Sequence, residues 1–286
     1  MCATCGCGAE EVQVSLLADS HPLDHDQQHR LDHEHHSHEG QPEHDGRLEH
    51  DHHHGPGHDR THTITLEQAV LAKNDQLADH NRIWLARRGL TAINLMSSPG
   101  AGKTTLLERT IIDSGLTLSV IEGDQETSVD AERIRAAGAR SVQVNTGAGC
   151  HLDAAMVRRA LDQLAPQTGV VAIENVGNLV CPALFDLGER AKVVVISVTE
   201  GDDKPLKYPH MFRVADLVVV NKTDLLPYVD FDLDRLRDQA RSLNPDVDVL
   251  PLSVRTGENV DAWYAFLDDV VDTTPRGAHR GAAVGS

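Results

Sequence analysis

The chain has 286 residues and a formal net charge of −18, with 24% charged and only 3% aromatic residues. Residues 1–62 hold 13 acidic side chains against 3 basic ones, so −10 of the net charge (3 minus 13) lies in this segment. Because nucleic-acid binding needs clustered lysine and arginine, this balance excludes nucleic acid as the main partner.

No apolar run reaches the length of a membrane span, and the first residues lack the apolar core of a signal peptide. We therefore expect a cytoplasmic protein with no membrane partner. In that compartment the five cysteines are expected to be metal ligands or free thiols rather than disulfides.

Three cysteines open the chain in the pattern Cys2-x-x-Cys5-Gly-Cys7. Such a cluster can wrap one metal ion, because glycine permits a tight backbone and the thiolate is the ligand. A redox pair is the alternative, but redox Cys-x-x-Cys pairs usually lie at a helix start within a folded unit. Residues 1–8 are therefore predicted to form a metal motif.

A histidine-rich tail follows, since residues 9–62 hold 14 of the 18 histidines and almost no apolar clusters. Such a composition buries too little apolar surface to fold alone, and imidazole favours nickel, zinc and copper. The histidines are too irregular and too widely spread for a purification tag. We expect a disordered metal-binding tail whose candidate ligands include His33, His35, His36, His38, His52, His53 and His54.

A helix is predicted from an N-cap at Thr65 to a stop at Gly89, because apolar residues recur between them at helical spacing. Apolar runs then alternate with amphipathic segments, a pattern typical of a parallel sheet covered on both faces. The fold class is therefore α/β, with residues 63–274 as one domain and 275–286 as a flexible tail. The predicted strands are Ala92–Met96, Thr117–Glu122, Ser141–Val144, Val170–Glu174, Lys192–Val198, Leu217–Asn221 and Asp248–Leu252, and the predicted helices are 104–113, 129–137, 152–164, 205–214, 231–243 and 258–272.

The first of these strands leads into a predicted phosphate-binding loop. Glycines leave room for backbone N–H groups to surround an anion, Lys103 can reach the outer phosphates, and the Thr104 hydroxyl can hold Mg²⁺. Ser97 stands where the usual pattern has glycine, and a chance strand–turn–helix is the alternative. The predicted nucleotide-binding residues here are Ser98, Pro99, Gly100, Ala101, Gly102, Lys103, Thr104 and Thr105.

Acidic residues follow two later strands, at the sheet edge where ligands of such folds bind. Asp124 is placed to hold Mg²⁺ directly or through water, although a solvated turn aspartate is the alternative. Glu174 takes the position where nucleotide hydrolases carry an acid that senses Mg²⁺, and Gly177 could donate its N–H to the γ-phosphate. We predict a catalytic set of Lys103, Asp124, Glu174 and Gly177, with Mg²⁺ on Thr104, Asp124 and Glu174.

A guanine-recognition motif, Asn221-Lys222-Thr-Asp224, lies about 120 residues after the phosphate loop. The carboxylate of Asp224 can accept both donors of the guanine edge, a pair that adenine lacks. The segment Ser253-Val254-Arg255 resembles the loop that backs the guanine carbonyl. Together with the phosphate loop, this motif predicts a GTPase.

A second metal constellation combines Cys150 and His151 with Cys181, each following a strand. If neighbouring strand ends bring them together, two thiolates and an imidazole make a soft, open site. Buried structural cysteines are the alternative.

The combined motifs resemble the HypB family of SIMIBI-class P-loop GTPases, which incorporate nickel during [NiFe]-hydrogenase maturation. The resemblance covers residues 1–8 and 64–273. Its carriers are the terminal cysteine pattern, Ser97–Thr104, Glu122–Asp124, Thr146–Asp153, Glu174–Pro182 and Gly201–Pro209.

This resemblance implies a nickel site at Cys2, Cys5 and Cys7, and a nickel or zinc site at Cys150, His151 and Cys181 that joins two subunits when GTP is bound. It also implies slow GTP hydrolysis and nickel transfer with a partner metallochaperone to a hydrogenase large-subunit precursor. The tail implies added nickel storage. The wider class often has a second lysine where this chain has Ser98, so Lys204 or Lys207 is a guess for that role.

Three other functions stay open. A related GTPase could serve urease, but urease-type relatives have a contiguous Cys-Pro-His where Ala183 follows Cys181-Pro182 here. A zinc-supply GTPase would carry a Cys-x-Cys-Cys motif, which this chain lacks. A protein that mainly sequesters nickel is also compatible with the tail.

Overall fold

The computed structural model describes residues 14–15, 59–124, 129–147 and 149–272, with side chains described in the first helix from residue 68 onward. The predicted ligands Cys2, Cys5 and Cys7, the seven tail histidines and the predicted tail 275–286 lie outside these residues. Val14–Ser15 belongs to the same compact unit as the residues from Ala69 onward.

The sheet has eight strands in the order β1-β4-β3-β5-β2-β6-β7-β8. Seven of them, β2 to β8, run parallel, and β1 pairs antiparallel with β4, the outermost of these parallel strands on that side. The strands are β1 Val14–Ser15, β2 Thr91–Ser97, β3 Leu118–Asp124, β4 Arg140–Asn145, β5 Val170–Gly177, β6 Ala191–Ser197, β7 Leu217–Asn221 and β8 Asp248–Pro251.

Helices cover both faces of this sheet, which confirms the predicted α/β class. Continuous Val/Ile-rich strands are buried on both sides, because parallel crossovers put a helix over each face. The helices are α1 Asp59–Ala86, α2 Lys103–Asp113, α3 Val129–Ala136, α4 Ala154–Leu164, α5 Lys204–Lys207, α6 Pro209–Val214, α7 Leu233–Leu243 and α8 Val260–Asp272.

Three apolar clusters make up the core. One face packs α2, α3 and α8 on the sheet, with Trp263 fully buried. The opposite face carries α1 and α4 over β3, β4 and β5, and α6 and α7 over β6 and β7. This arrangement leaves the carboxyl edge of the parallel strands for the loops that carry the candidate site.

The structure differs from the sequence-based prediction of secondary structure at three places. Helix α1 begins at Asp59, six residues before the predicted N-cap Thr65. The predicted helix 205–214 is two short helices, since Pro209 lacks the N–H that would continue α5. The strand Val14–Ser15 was not predicted at all. The predicted stop at Gly89 was right, as the turn after Ala86 ends there.

Candidate functional site

The phosphate-binding loop runs from the end of β2 to the first residue of α2. Ser97 is fully buried, and its hydroxyl accepts a 2.6 Å hydrogen bond from the Lys103 ammonium. Among the described residues, positive φ angles outside glycine occur at Ala165, Lys222 and Asn259, and Ser97 is not one of them. Its position therefore needs no glycine, which explains how the loop tolerates serine there.

Lys103 and Thr104 lie at the start of α2 and point to Glu174 on β5. The Thr104 hydroxyl donates to Oε1 of Glu174 across 2.8 Å, and the Lys103 ammonium lies 4.0 Å from the same atom. Burial lowers the pKa of Lys103, and the nearby Glu174 opposes that shift. These two loop residues therefore pair with Glu174, an acid of the predicted catalytic set.

The base-recognition motif is joined to the phosphate loop by hydrogen bonds. Asn221 donates to the carbonyl of Ala101 across 3.0 Å, and Lys222 donates to that of Gly100 across 2.8 Å. Gly102 has φ +102°, and a Cβ there would lie 2.5 Å from Nδ2 of Asn221, so glycine is needed for this approach. The two motifs thus form one structure.

Asp224 is held by the loop after β8. Its Oδ1 accepts from the Ser253 hydroxyl at 2.5 Å, and its Oδ2 accepts from Arg255 at 2.9 and 2.6 Å. The Ser253 hydrogen bond and the Arg255 guanidinium lower the pKa of Asp224, which keeps the carboxylate ionised. The backbone N–H of Val254 donates to Asn221 at 3.2 Å, so the structure brings all six predicted base-side residues together.

A cleft of about 480 Å³ runs along the phosphate loop. Its walls combine the loop with acidic and basic side chains from β3, α3 and β5. The lining residues include Pro99, Gly100, Lys103, Thr104, Thr105, Glu122, Asp124, Asp130, Arg133, Glu174, Gly177 and Lys222.

Three carboxylates meet in this cleft, and two of them were missed by the sequence analysis. Oxygens of Glu122, Asp130 and Glu174 all lie within 4.8 Å of one another, whereas Asp124 lines the cleft outside this group. Glu122 and Glu174 are direct neighbours in the β3–β5 register. A glutamate near the end of a mostly apolar, buried strand was the signal that could have found Glu122.

The cleft suits a hard cation. Glu122 is 3% exposed and Glu174 5%, yet Oε2 of each has no hydrogen-bond partner in the described part of the chain. Burial, and then the charge of Glu174, raise the pKa of Glu122 to about 9, and burial raises that of Glu174 to about 6. Unpaired carboxylate oxygens are the ligands that Mg²⁺ prefers, so the residues present fit the predicted Mg²⁺.

Arg133 was a further omission. This side chain on α3 donates to Glu108 at 3.0 and 2.6 Å, to Asp130 at 3.0 Å and to the Thr105 hydroxyl at 3.3 Å. It therefore brings a positive charge to the end of the phosphate loop. No sequence motif marks an arginine in that helix.

Cys150, His151 and Cys181, the second metal constellation, lie close together, but the strands that precede them are not neighbours in the sheet. β4 and β5 are separated by β3, so loops rather than strand pairing bring Cys150 and His151 to Cys181. The ligand atoms of all three lie within 4.8 Å of one another, with 3.7 Å between Sγ of Cys150 and Nδ1 of His151. His151 stacks on Phe185 at 3.9 Å, and burial lowers its pKa, which favours the neutral ligand form.

These three donors fit a soft or borderline cation. Two sulfur atoms and one imidazole nitrogen make up the donor set that nickel and zinc share, and three ligands leave a position open.

The metal constellation and the nucleotide cleft are physically connected. Asn178 donates to the carbonyl of Cys150 at 3.3 Å, and Asn175 accepts from the Leu152 N–H at 3.1 Å. A second pocket of about 400 Å³ is lined by Ser98, Gly177, Cys150 and Lys204. Segment 174–178 thus contacts both sites.

Lys204 and Lys207 occupy different surroundings. Ser98 donates its hydroxyl to Glu200, and the Lys204 ammonium lies 3.2 Å from the same carboxylate. Lys207 instead pairs with Asp203 at 2.7 Å and is 59% exposed. Only Lys204 of this pair lies beside the phosphate loop.

Comparisons with known proteins agree with these features. Residues 91–251 match the family model "CobW/HypB/UreG, nucleotide-binding domain". A hydrogenase maturation factor HypB from Rhizobium leguminosarum bv. viciae is 56% identical over 218 residues, which cover 75% of this chain and 73% of that protein.

Solved structures give the same result. The crystal structure of HypB from Archaeoglobus fulgidus matches with a TM-score of 0.67 and 40% identity, covering 70% of this chain and 100% of that one. The structure of HypB from Helicobacter pylori in complex with nickel has a TM-score of 0.68 and 37% identity, covering 70% of this chain and 95% of that one.

Among the described residues, no helix is both long and apolar enough to cross a membrane.

Proposed function

Because the chain belongs to the HypB family of hydrogenase maturation factors, within the CobW/HypB/UreG group of nucleotide-binding domains, we propose that it hydrolyses GTP to deliver nickel to a [NiFe]-hydrogenase large-subunit precursor. The observation that carries this proposal is the connection from Glu174–Asn178 to the Cys150 loop. A change at the γ-phosphate that moves this segment also moves a metal ligand's backbone.

GTP binding uses the residues already joined in the cleft. The phosphate loop from Ser98 to Thr105 holds the phosphates with backbone N–H groups and the Lys103 ammonium. Asp224 accepts the guanine edge, while Asn221, Lys222 and the Ser253–Arg255 loop fix its position. Guanine then takes over part of the hydrogen bonding that Arg255 supplies to Asp224.

Hydrolysis depends on positioning and on charge neutralisation. Mg²⁺ would be held by Thr104, Asp124 and Glu174, with Glu122 and Asp130 adjacent, and would neutralise charge that develops on the phosphates. Thr104 and Lys103 give up their contacts with Glu174 when they turn to the nucleotide. Gly177 offers its N–H on the side of the γ-phosphate.

Nickel is the cargo in this proposal. Cys150, His151 and Cys181 would hold nickel or zinc at a junction of two subunits, so that GTP and metal together favour a homodimer. Cys2, Cys5 and Cys7 would form a separate nickel site, and the histidine-rich tail would store nickel. A partner metallochaperone would share the transfer, in the cytoplasm, where GTP is available.

The test is a chromosomal deletion in the source organism, with hydrogenase and urease activities measured with and without added nickel. We expect hydrogenase activity to fall and to recover partly with nickel. Complementation with wild type should restore it, whereas Asp224→Asn should not. Loss of urease activity alone would favour the urease alternative, and unchanged activity of both enzymes would refute the delivery proposal.

A further inference from the structure

Two buried asparagines on α1 hold the two loops of the metal constellation in register. Asn74 and Asn81 are seven residues apart, so they lie two turns apart on one face of the helix. They are 6% and 0% exposed. Buried amides of this kind cost free energy unless they are hydrogen-bonded, so their partners identify what the helix face binds.

Each asparagine bridges the same two chain segments. Asn74 donates to the carbonyl of Asp186 at 2.8 Å and accepts from the N–H of Ala154 at 2.9 Å. Asn81 donates to the carbonyls of Ala154 at 2.8 Å and Leu187 at 3.0 Å. Ala154 begins α4 directly after the Cys150 loop, and residues 186–187 follow the turn that begins at Cys181.

The strands cannot supply this register themselves. Cys150 and His151 follow β4, Cys181 follows β5, and β3 separates the two strands. Sheet hydrogen bonds therefore do not join the two loops directly. Asn175 near the end of β5 and Asn178 after it bind the backbone of Leu152 and Cys150, and α1 supplies a further connection at Ala154 and residues 186–187.

The close approach of α1 is built into the backbone. Gly188 has φ +90°, and a Cβ there would lie 2.6 Å from the carbonyl oxygen of Ala78 and 2.7 Å from Cβ of Asn81. Phe185, which stacks on His151, lies next to Asp186. A shift of residues 185–187 relative to Ala154 therefore changes the distance from the imidazole to Cys181.

We propose that Asn74 and Asn81 are positioning residues that set the metal affinity of Cys150, His151 and Cys181. This inference rests on the metal site of the proposed function. Partners outside the ligand set typically change metal affinity by about 10- to 100-fold when they are replaced.

The test uses the full chain with Cys2, Cys5 and Cys7 replaced by Ser. Since the sequence has five cysteines, Cys150 and Cys181 are then the only thiols, and a thiolate-to-Co²⁺ charge-transfer band reports on their site alone. Histidine ligands of the tail give no such band. Competition with a chelator converts the band into an affinity.

Asn81→Asp and Asn74→Asp are compared in that background, because each keeps the side-chain shape and removes the amide donors. Thr110→Val is the matched control. Thr110 is also fully buried, accepts from Trp263 Nε1 at 2.9 Å, and lies on the opposite face of the sheet. GTP affinity and the thermal midpoint are measured for every variant. Asn74→Asp is the milder change, since its oxygen can still accept from Ala154.

We expect each asparagine variant to lower Co²⁺ affinity at least about tenfold, while GTP affinity and the control's metal affinity stay at background values. If the asparagine variants bind Co²⁺ as tightly as the Thr110→Val control, the positioning role is overturned and the metal site stands. If the background protein itself shows no thiolate band, the metal site of the proposed function fails, and the positioning role fails with it.

Discussion

Arg255 holds Asp224 through two donors on one oxygen, at 2.9 and 2.6 Å, while Ser253 holds the other oxygen at 2.5 Å. Both carboxylate oxygens are thus engaged before guanine binds. The Arg255 side chain is 76% exposed, so it can leave with little loss of packing. Ser253 stays behind and keeps the carboxylate oriented.

Asp224→Asn is therefore predicted to weaken GTP binding by about 10- to 100-fold and to favour xanthosine triphosphate. The carboxylate of Asp224 accepts from the exocyclic amine of guanine, whereas the amide of an asparagine can donate to the carbonyl that xanthine has at the same position. Binding of fluorescent analogues of both nucleotides measures the change. Asp246→Asn, at an exposed site outside the motif, is the control. An unchanged preference for GTP would rule out guanine recognition by Asp224.

Replacing Cys150 and Cys181 by Ala should abolish dimerisation that depends on metal, because the remaining imidazole is a single ligand. Sedimentation velocity with GTP and nickel or zinc measures it. A variant with Ser at Cys2, Cys5 and Cys7 is the control and should still dimerise. Dimers that persist without Cys150 and Cys181 would show that these cysteines do not join the two subunits through a metal ion.

Lys204→Met is predicted to lower GTP turnover at least about tenfold, because its ammonium lies beside the Glu200–Ser98 pair at the phosphate loop. Lys207→Met should have little effect, since Lys207 is paired with Asp203 on the surface. Single-turnover assays of both variants make the comparison. Equal effects would remove Lys204 from consideration as the second lysine.

Glu122→Gln should flatten the pH dependence of stability in protein free of nucleotide and Mg²⁺. The pKa of Glu122 is raised from 4.5 to about 9, so between these values the folded protein holds a proton that the unfolded chain has lost. The stability that this carboxyl contributes is therefore complete below pH 4.5 and is lost as the pH rises to about 9.

Thermal midpoints of the two proteins from about pH 5 to about pH 9 provide the measurement. The variant should gain relative to wild type as the pH rises, and its turnover with Mg²⁺ and GTP should fall. Glu258→Gln, which changes an exposed carboxyl, is the control. Parallel curves for wild type and Glu122→Gln would contradict a neutral Glu122.

Deleting residues 21–58 should lower the number of bound nickel ions and leave GTP turnover unchanged. The deletion ends before Asp59, because helix α1 begins there. Equilibrium dialysis with nickel and a GTPase assay on the same preparation measure the two properties. Reduced turnover would mean that the tail contributes to the GTPase domain.

The features that were predicted from the sequence depend on residues that are close together along the chain. Continuous apolar strands, the phosphate loop and the Asn221–Asp224 motif each depend on residues within about ten positions, and their strand–loop–helix context followed from periodicity. The family was also predicted correctly, and the fold class with it. Cys150, His151 and Cys181 were grouped correctly in space, although the reason given for their meeting was wrong.

What the sequence did not give depends on register and on distant contacts. Glu122 joins Glu174 only because β3 and β5 pair with these residues opposite each other. Asp130 and Arg133 reach the cleft because α3 packs beside α2, and Asn74 and Asn81 find backbone partners about 70 to 110 residues away. Such pairings carry no local pattern.

The short strand β1 forms one edge of the sheet, and its antiparallel pairing with β4 also sets the direction in which this part of the chain runs. Val14 pairs with Val144 and Ser15 with Gln143, so the N-terminal end of β1 lies towards the carboxyl end of β4, which leads to Cys150. Seven residue steps from Val14 back to Cys7 span no more than about 25 Å. Within the proposed function, Cys7 is therefore covalently held within this distance of a strand pair that leads to Cys150. Tethering at this range corresponds to a millimolar local concentration, so exchange of metal between the two thiol sites would not depend on how dilute the protein is.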